Sequence, residues 1–164
     1  MGPERLLNSS RLACNISEER PEWPPRTDGS ASSAAHHIIP DREVQNVPLL
    51  RVAYDNNLYD FDGADNGVFL PTTPEAAAAA RADPGWTQPT PIHNSGHHRY
   101  SDEVGWIAKE ELDQFEELYG PIESMSAERI RELSPQINAS IARINSQASA
   151  LLTNPQFVIN GVLQ

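Results

Sequence analysis

Apolar and polar positions recur in two rhythms along the chain, one helical and one extended. Val104, Ile107, Leu112, Phe115 and Leu118 return at about three- to four-residue steps, which predicts an amphipathic helix over His93–Tyr119. Gly120–Pro121 ends it. Ile137, Ile141, Ile144 and Leu151 predict a second helix over Pro135–Leu152, and Ser126 is placed to cap a short one over Ser126–Leu133. The stripe of the last helix must be buried on something, and the stripe of the long helix is the expected partner. Two short apolar runs closed by proline, His36–Pro40 and Val68–Pro71, predict brief strands. Val47–Tyr54 reads as a short helix, and so does the alanine run Ala76–Ala80 between Pro74 and Pro84. A further short helix is expected around Leu6, Leu7, Arg11 and Leu12. Residues 26–35 read as a flexible approach, Asp55–Gly67 is dense in turn formers, and Phe157–Leu163 reads as a last strand or a frayed end.

These elements predict a small α+β domain. Residues 1–120 would form its core, with residues 121–164 as a C-terminal helical extension packed on it. Composition narrows the picture. A chain of 164 residues has room for one real core, but 38% hydrophobic content, a mean hydropathy of −0.51, 9 Gly and 14 Pro imply much loop. No long apolar window suggests a membrane span, and Met1–Ser10 lacks the basic-then-apolar order of a signal peptide. The lone Cys14 excludes an internal disulfide and a thiolate zinc knuckle. Any metal would therefore be held by His, Asp, Glu or amide groups.

The net charge of −11 argues against tight, charge-driven nucleic-acid binding. The negative charge is uneven, however. Residues 101–132 carry ten acids, whereas residues 133–164 carry none and one Arg. A bound polyanion need not face the acidic stretch.

The five histidines fall in two clusters, His36–His37 and His93, His97, His98. Adjacent surface histidines are often inert. Histidines four residues apart on a helix share a face and can grip one ion. The order is more specific than either cluster. A His pair on a strand, then Asn-Gly before a second strand, then His-x-x-x-His opening a helix is the order of a ββα-metal hairpin. A strand turns His36 and His37 to opposite faces, so they should not share one role. Imidazole suits both jobs there, as a neutral nitrogen ligand and as a proton acceptor near neutral pH.

Ser33–Pro40 (SAAHHIIP), Asn66–Pro71 (NGVFLP) and His93–Tyr100 (HNSGHHRY) resemble the AHH family of the HNH/endonuclease VII superfamily. The resemblance covers about residues 11–120, with a faint echo of an upstream leucine-and-asparagine element in Leu12–Asn15. It implies a ββα-metal, HNH-type hairpin-and-helix core with additional helices. It implies His36, His93 and His97 as metal ligands, His37 as general base, and Asn66 as support of the hairpin or the base. His98 would lie behind the ligands or face DNA, and Arg99 would be the best candidate for holding a phosphate. The cofactor would be one divalent ion, Mg²⁺ first, with Zn²⁺, Mn²⁺ or Ni²⁺ as alternatives. The implied function is a metal-dependent endonuclease cleaving DNA. It would be a secreted antibacterial toxin or effector acting in a target cell's cytoplasm, with a cognate immunity protein and a secretion-system carrier as partners and no membrane.

Two other readings compete. One is a non-catalytic module holding a structural, histidine-bound zinc, which would use every metal position for protein groups. The other is an RNase on the same scaffold. Asp60, Asp62 and Asp65 fail the EF-hand pattern at its sixth and twelfth positions and read as an ordinary turn, with contact of one acid to the metal as the alternative. Arg42, Arg51, Arg81 and Arg99 could clamp phosphates, but each reads most simply as a surface ion-pair partner.

Overall fold

A computed structural model describes residues 6–20, 33–93 and 98–154. Among them are seven α-helices and one two-stranded antiparallel sheet, an α+β arrangement. Helix α1 (Ser9–Glu19) starts where the Asn8 side chain accepts hydrogen bonds from the Ser10 and Arg11 N–H groups, and it buries Leu12 and Ile16. Strand β1 (Ser33–His37) pairs with β2 (Gly67–Pro71), with His36 opposite Val68 and His37 opposite Gly67. Between the strands lie α2 (Asp41–Asn46), α3 (Pro48–Asp55) and a 3-10 turn, Ala64–Asn66. Helix α4 (Pro74–Ala82) follows, with Pro74 at its first turn and the Thr73 hydroxyl capping Ala76 N. Then come α5 (His98–Tyr119), a 3-10 turn at Ile122–Ser124, α6 (Ala127–Glu132) and α7 (Ser134–Thr153).

The sheet separates two apolar clusters. On one side Ile38, Val68 and Leu70 join the main core with α3, α5 and α7. On the other, Phe69 and Ala64 meet Leu12 and Ile16 of α1, with Ala35 packed alongside. Period-two alternation places neighbouring strand residues in different clusters. Helix α1 lies so close to β2 that a Cβ at Gly67 would come within 2.6 Å of the Leu12 and Ile16 methyl carbons. A larger residue there would force the Leu12 and Ile16 side chains to shift.

Helix α5 ends at Gly120, whose φ of 89° suits a residue without a side-chain penalty. Its Val104, Ile107 and Phe115 are buried, as is the α7 stripe of Ile137, Ile141 and Ile144. Fully burying such a side chain is worth roughly 1.5–3 kcal/mol. Between these helices Arg143 brings its Nε to 3.0 Å from both oxygens of Glu111, a buried carboxylate, and its Nη2 to Ser140. Among the described residues no helix is long and apolar enough to cross a membrane.

Several expectations need correction. The first strand is Ser33–His37, not His36–Pro40, so Ser33–Ala35 are strand rather than loop. Ile38 and Ile39 are β-branched, but the Asn66 backbone and side chain pair with them instead of a strand. Helix α2 has six residues and no side-chain cap; burial of Val44 and Glu43 holds it, and local pattern gives it no signal. Leu118 is exposed, and Leu152 rather than Leu151 completes the buried stripe of α7. The expected tail Phe157–Leu163 lies outside the described residues.

Candidate active site

The hairpin is closed by Asn66. Its side-chain oxygen accepts from Ile39 N at 2.8 Å and from Asn145 Nδ2 at 3.2 Å. Its Nδ2 donates to the Phe61 carbonyl at 2.8 Å and the Ile39 carbonyl at 3.2 Å. Two donors and two acceptor positions are thus all used in a fully buried residue. The Asn66 carbonyl also accepts from Ile38 N at 2.8 Å, so one residue extends the ladder past the end of β1.

His36, just inside that closure, is buried toward the main core. Its ring stands 5.0 Å from that of His93 and 5.1 Å from that of Tyr100, edge to face with both. The Tyr100 hydroxyl donates to the Ile38 carbonyl at 2.6 Å, tying the first turn of α5 to the end of β1. Burial pushes that hydroxyl's pKa well up, so it remains a donor. His93 N donates to the Pro71 carbonyl at 2.7 Å. His93 therefore follows the end of β2 rather than opening the helix. The helix described begins at His98, so the expected sharing of one helical face by His93 and His97 is not what brings His93 to the site. Burial lowers the His93 pKa and favours a neutral ring.

His37 points the other way. Its Nε2 lies 2.9 Å from Asp62 Oδ1, and both side chains are about nine-tenths buried (11% and 9% exposed). Burial lowers the His37 pKa, and the hydrogen bond and charge of Asp62 pull against that. The net direction is down, which leaves a neutral imidazole at neutral pH.

Of the remaining expected residues, His97 lies outside the described residues. His98 and Arg99 are exposed at the start of α5. Arg42 pairs with Glu43 and Asp102, and Arg51 with Asp55. Among the described residues no group of three or more His, Cys, Asp or Glu gathers as a metal cluster. Asp62, Tyr100 and Asn145 are additions. Asp62 sits 25 positions from His37 and Asn145 79 from Asn66, separations at which no local pattern operates.

The antiparallel hairpin thus carries histidines on both faces and is closed by a buried asparagine. The profile of a nuclease family of the HNH/ENDO VII superfamily with conserved AHH matches residues 17–147, and the chain belongs to that family. No curated protein and no solved structure matches the chain. Membership makes this a nuclease-family protein, whose substrate is a nucleic acid.

Proposed function

We propose that the chain is a divalent-metal-dependent endonuclease cleaving DNA through a ββα-metal core made of β1, β2 and α5. The observation that carries this reading is the split of the histidine pair, with His36 beside His93 on one face and His37 beside Asp62 on the other. The fit to a metal can be judged from the donors. His36 and His93 bring two imidazole rings to 5.0 Å between centres, and both are nitrogen donors without competing thiolates, a donor set that suits a divalent ion. His36, His93 and His97 would hold the ion. Imidazole suits Zn²⁺, Mn²⁺ or Ni²⁺ better than Mg²⁺, so the expected Mg²⁺ is one candidate among these.

A divalent ion held by His36, His93 and His97 would supply positive charge to offset that of the transition state. The chain's own groups do the rest. His37 takes a proton from the attacking water, whose oxygen forms the new bond to phosphorus as the bond to the 3′ oxygen breaks. Asn66 holds the hairpin so that both histidines keep their faces. Arg99, exposed beside the site, would hold a phosphate oxygen. Residues 1–120 would carry the site and residues 121–164 would brace it, as the Asn145–Asn66 bond suggests. The family resemblance supports a toxin or effector delivered into a target cell, countered by an immunity protein.

The test is incubation of purified protein with supercoiled plasmid and with RNA, under chelator and with Mg²⁺, Mn²⁺, Zn²⁺ or Ni²⁺ restored one at a time. Plasmid cleavage lost in chelator and regained with an ion is the expected result. Full cleavage in chelator would refute the metal site, and cleavage of RNA alone would move the substrate to RNA.

A further inference from the structure

We propose that Asp62 is the positioning residue for His37, and that helix α1 holds Asp62 in place. The inference rests on His37 as the base, and it extends the working site to residues before position 17, where the family match begins.

A carboxylate only accepts hydrogen bonds, so the 2.9 Å contact puts the His37 proton on Nε2 and leaves Nδ1 as the proton acceptor. The carboxylate therefore selects both the tautomer and the ring orientation. Asp62 is itself fixed at three atoms. Its Oδ1 also accepts from Asn8 N at 2.9 Å, its carbonyl accepts from Asn15 Nδ2 at 2.9 Å, and its N–H donates to Asp60 Oδ1 at 3.1 Å. Asn8 and Asn15 stand at the start and middle of α1. The side chain of Asn8 caps that helix while its backbone N–H reaches Asp62, so the position of α1 and that of the carboxylate are set together. Gly67, the register partner of His37, is where the Leu12 and Ile16 side chains lie against the sheet. The leucine and asparagine of Leu12–Asn15 thus have distinct tasks, one packing α1 on the hairpin and one holding the Asp62 backbone. A base whose ring is free to turn presents the wrong nitrogen for part of its time, and turnover falls while binding is untouched.

The experiment compares Asp62→Ala, Asp62→Asn, Asn15→Ala and His37→Ala in steady-state cleavage, with calorimetric metal titration and thermal unfolding of each. Asp62→Ala should lower kcat by roughly 10- to 100-fold with KM and metal affinity unchanged. Asp62→Asn, which keeps an oxygen for Asn8 and His37 but loses the charge, should fall between it and the wild type. Asn15→Ala should cost less than either. Nitrogen-15 NMR of the wild type should show His37 as the Nε2–H tautomer, a readout that needs neither activity nor a folded variant. The opposite tautomer, or wild-type kcat in a folded Asp62→Ala beside an inactive His37→Ala, would overturn this proposal alone. An active His37→Ala would overturn the base assignment and this proposal with it.

Discussion

His36 and His37 are joined by one peptide bond, yet they face different halves of the molecule. His36 is buried among rings, with His93 and Tyr100 edge to face and the main apolar core behind. His37 faces the α1 side and meets a carboxylate held by backbone and amide groups. The first environment brings two imidazole rings together beside a buried tyrosine. The second offers a fixed anion that steers a proton. Residue type is identical in the two cases, so what differs is the neighbourhood that a one-residue step on a strand selects. Identical side chains meet unlike surroundings because the sheet stands between two separate clusters.

The comparison collapses most completely if the hairpin opens. Asn66→Ala removes four side-chain hydrogen bonds and leaves the Ile39 and Phe61 groups buried without them. A loss of about 3 kcal/mol or more is expected, seen as a fall in Tm of roughly 6–12 °C. A melting curve unchanged from the wild type would mean the two faces are held apart by something other than this clamp.

The faces themselves are separated by single substitutions. His37→Ala should lower turnover by about 10²-fold or more, which is roughly 2.7 kcal/mol of barrier, and keep the metal. His36→Ala and His93→Ala should instead weaken metal binding in calorimetric titration. The reverse result, metal lost with His37 and kept without His36, would exchange the roles of the two faces. The finest distinction comes from Tyr100→Phe, which removes one hydroxyl from the His36 side only. It should cost about 1–3 kcal/mol of stability, measured by urea unfolding, because the buried Ile38 carbonyl loses its donor. Its effect on the NMR signals of His37 should be smaller than on those of His36.

Much of this was legible in the residues. The motif order placed His36, His37 and Asn66 on a hairpin, and strand periodicity alone required the two histidines to diverge. The helical stripes located α5 and α7. Legibility failed where the deciding contact is remote. Ile38 and Ile39 look like strand, but both bond to Asn66, an asparagine 27 positions beyond Ile39. His93 looked like the first residue of a helix, since His-x-x-x-His fits helical spacing, but a hydrogen bond to Pro71 holds it beside β2. Asp62 looked like a turn residue and is one; its second task exists only after α1 and the hairpin have met. Helix α2 has too few residues for periodicity to register, and tertiary burial of Val44 decides it.

The bond from Asn145 to Asn66 has a consequence in time. A polypeptide is made from its N-terminus, and residue 145 follows residue 66 by 79 positions. The histidine pair, the carboxylate and three of the four clamp bonds involve only residues up to 66, so they are made before α7. The fourth, together with the Arg143 grip on Glu111, waits until most of α7 has been made and has docked. Long-range closures of this kind slow the last stage of folding. The nascent chain thus carries its histidine pair before it carries the brace, and the hairpin acquires its full rigidity only once α7 has docked.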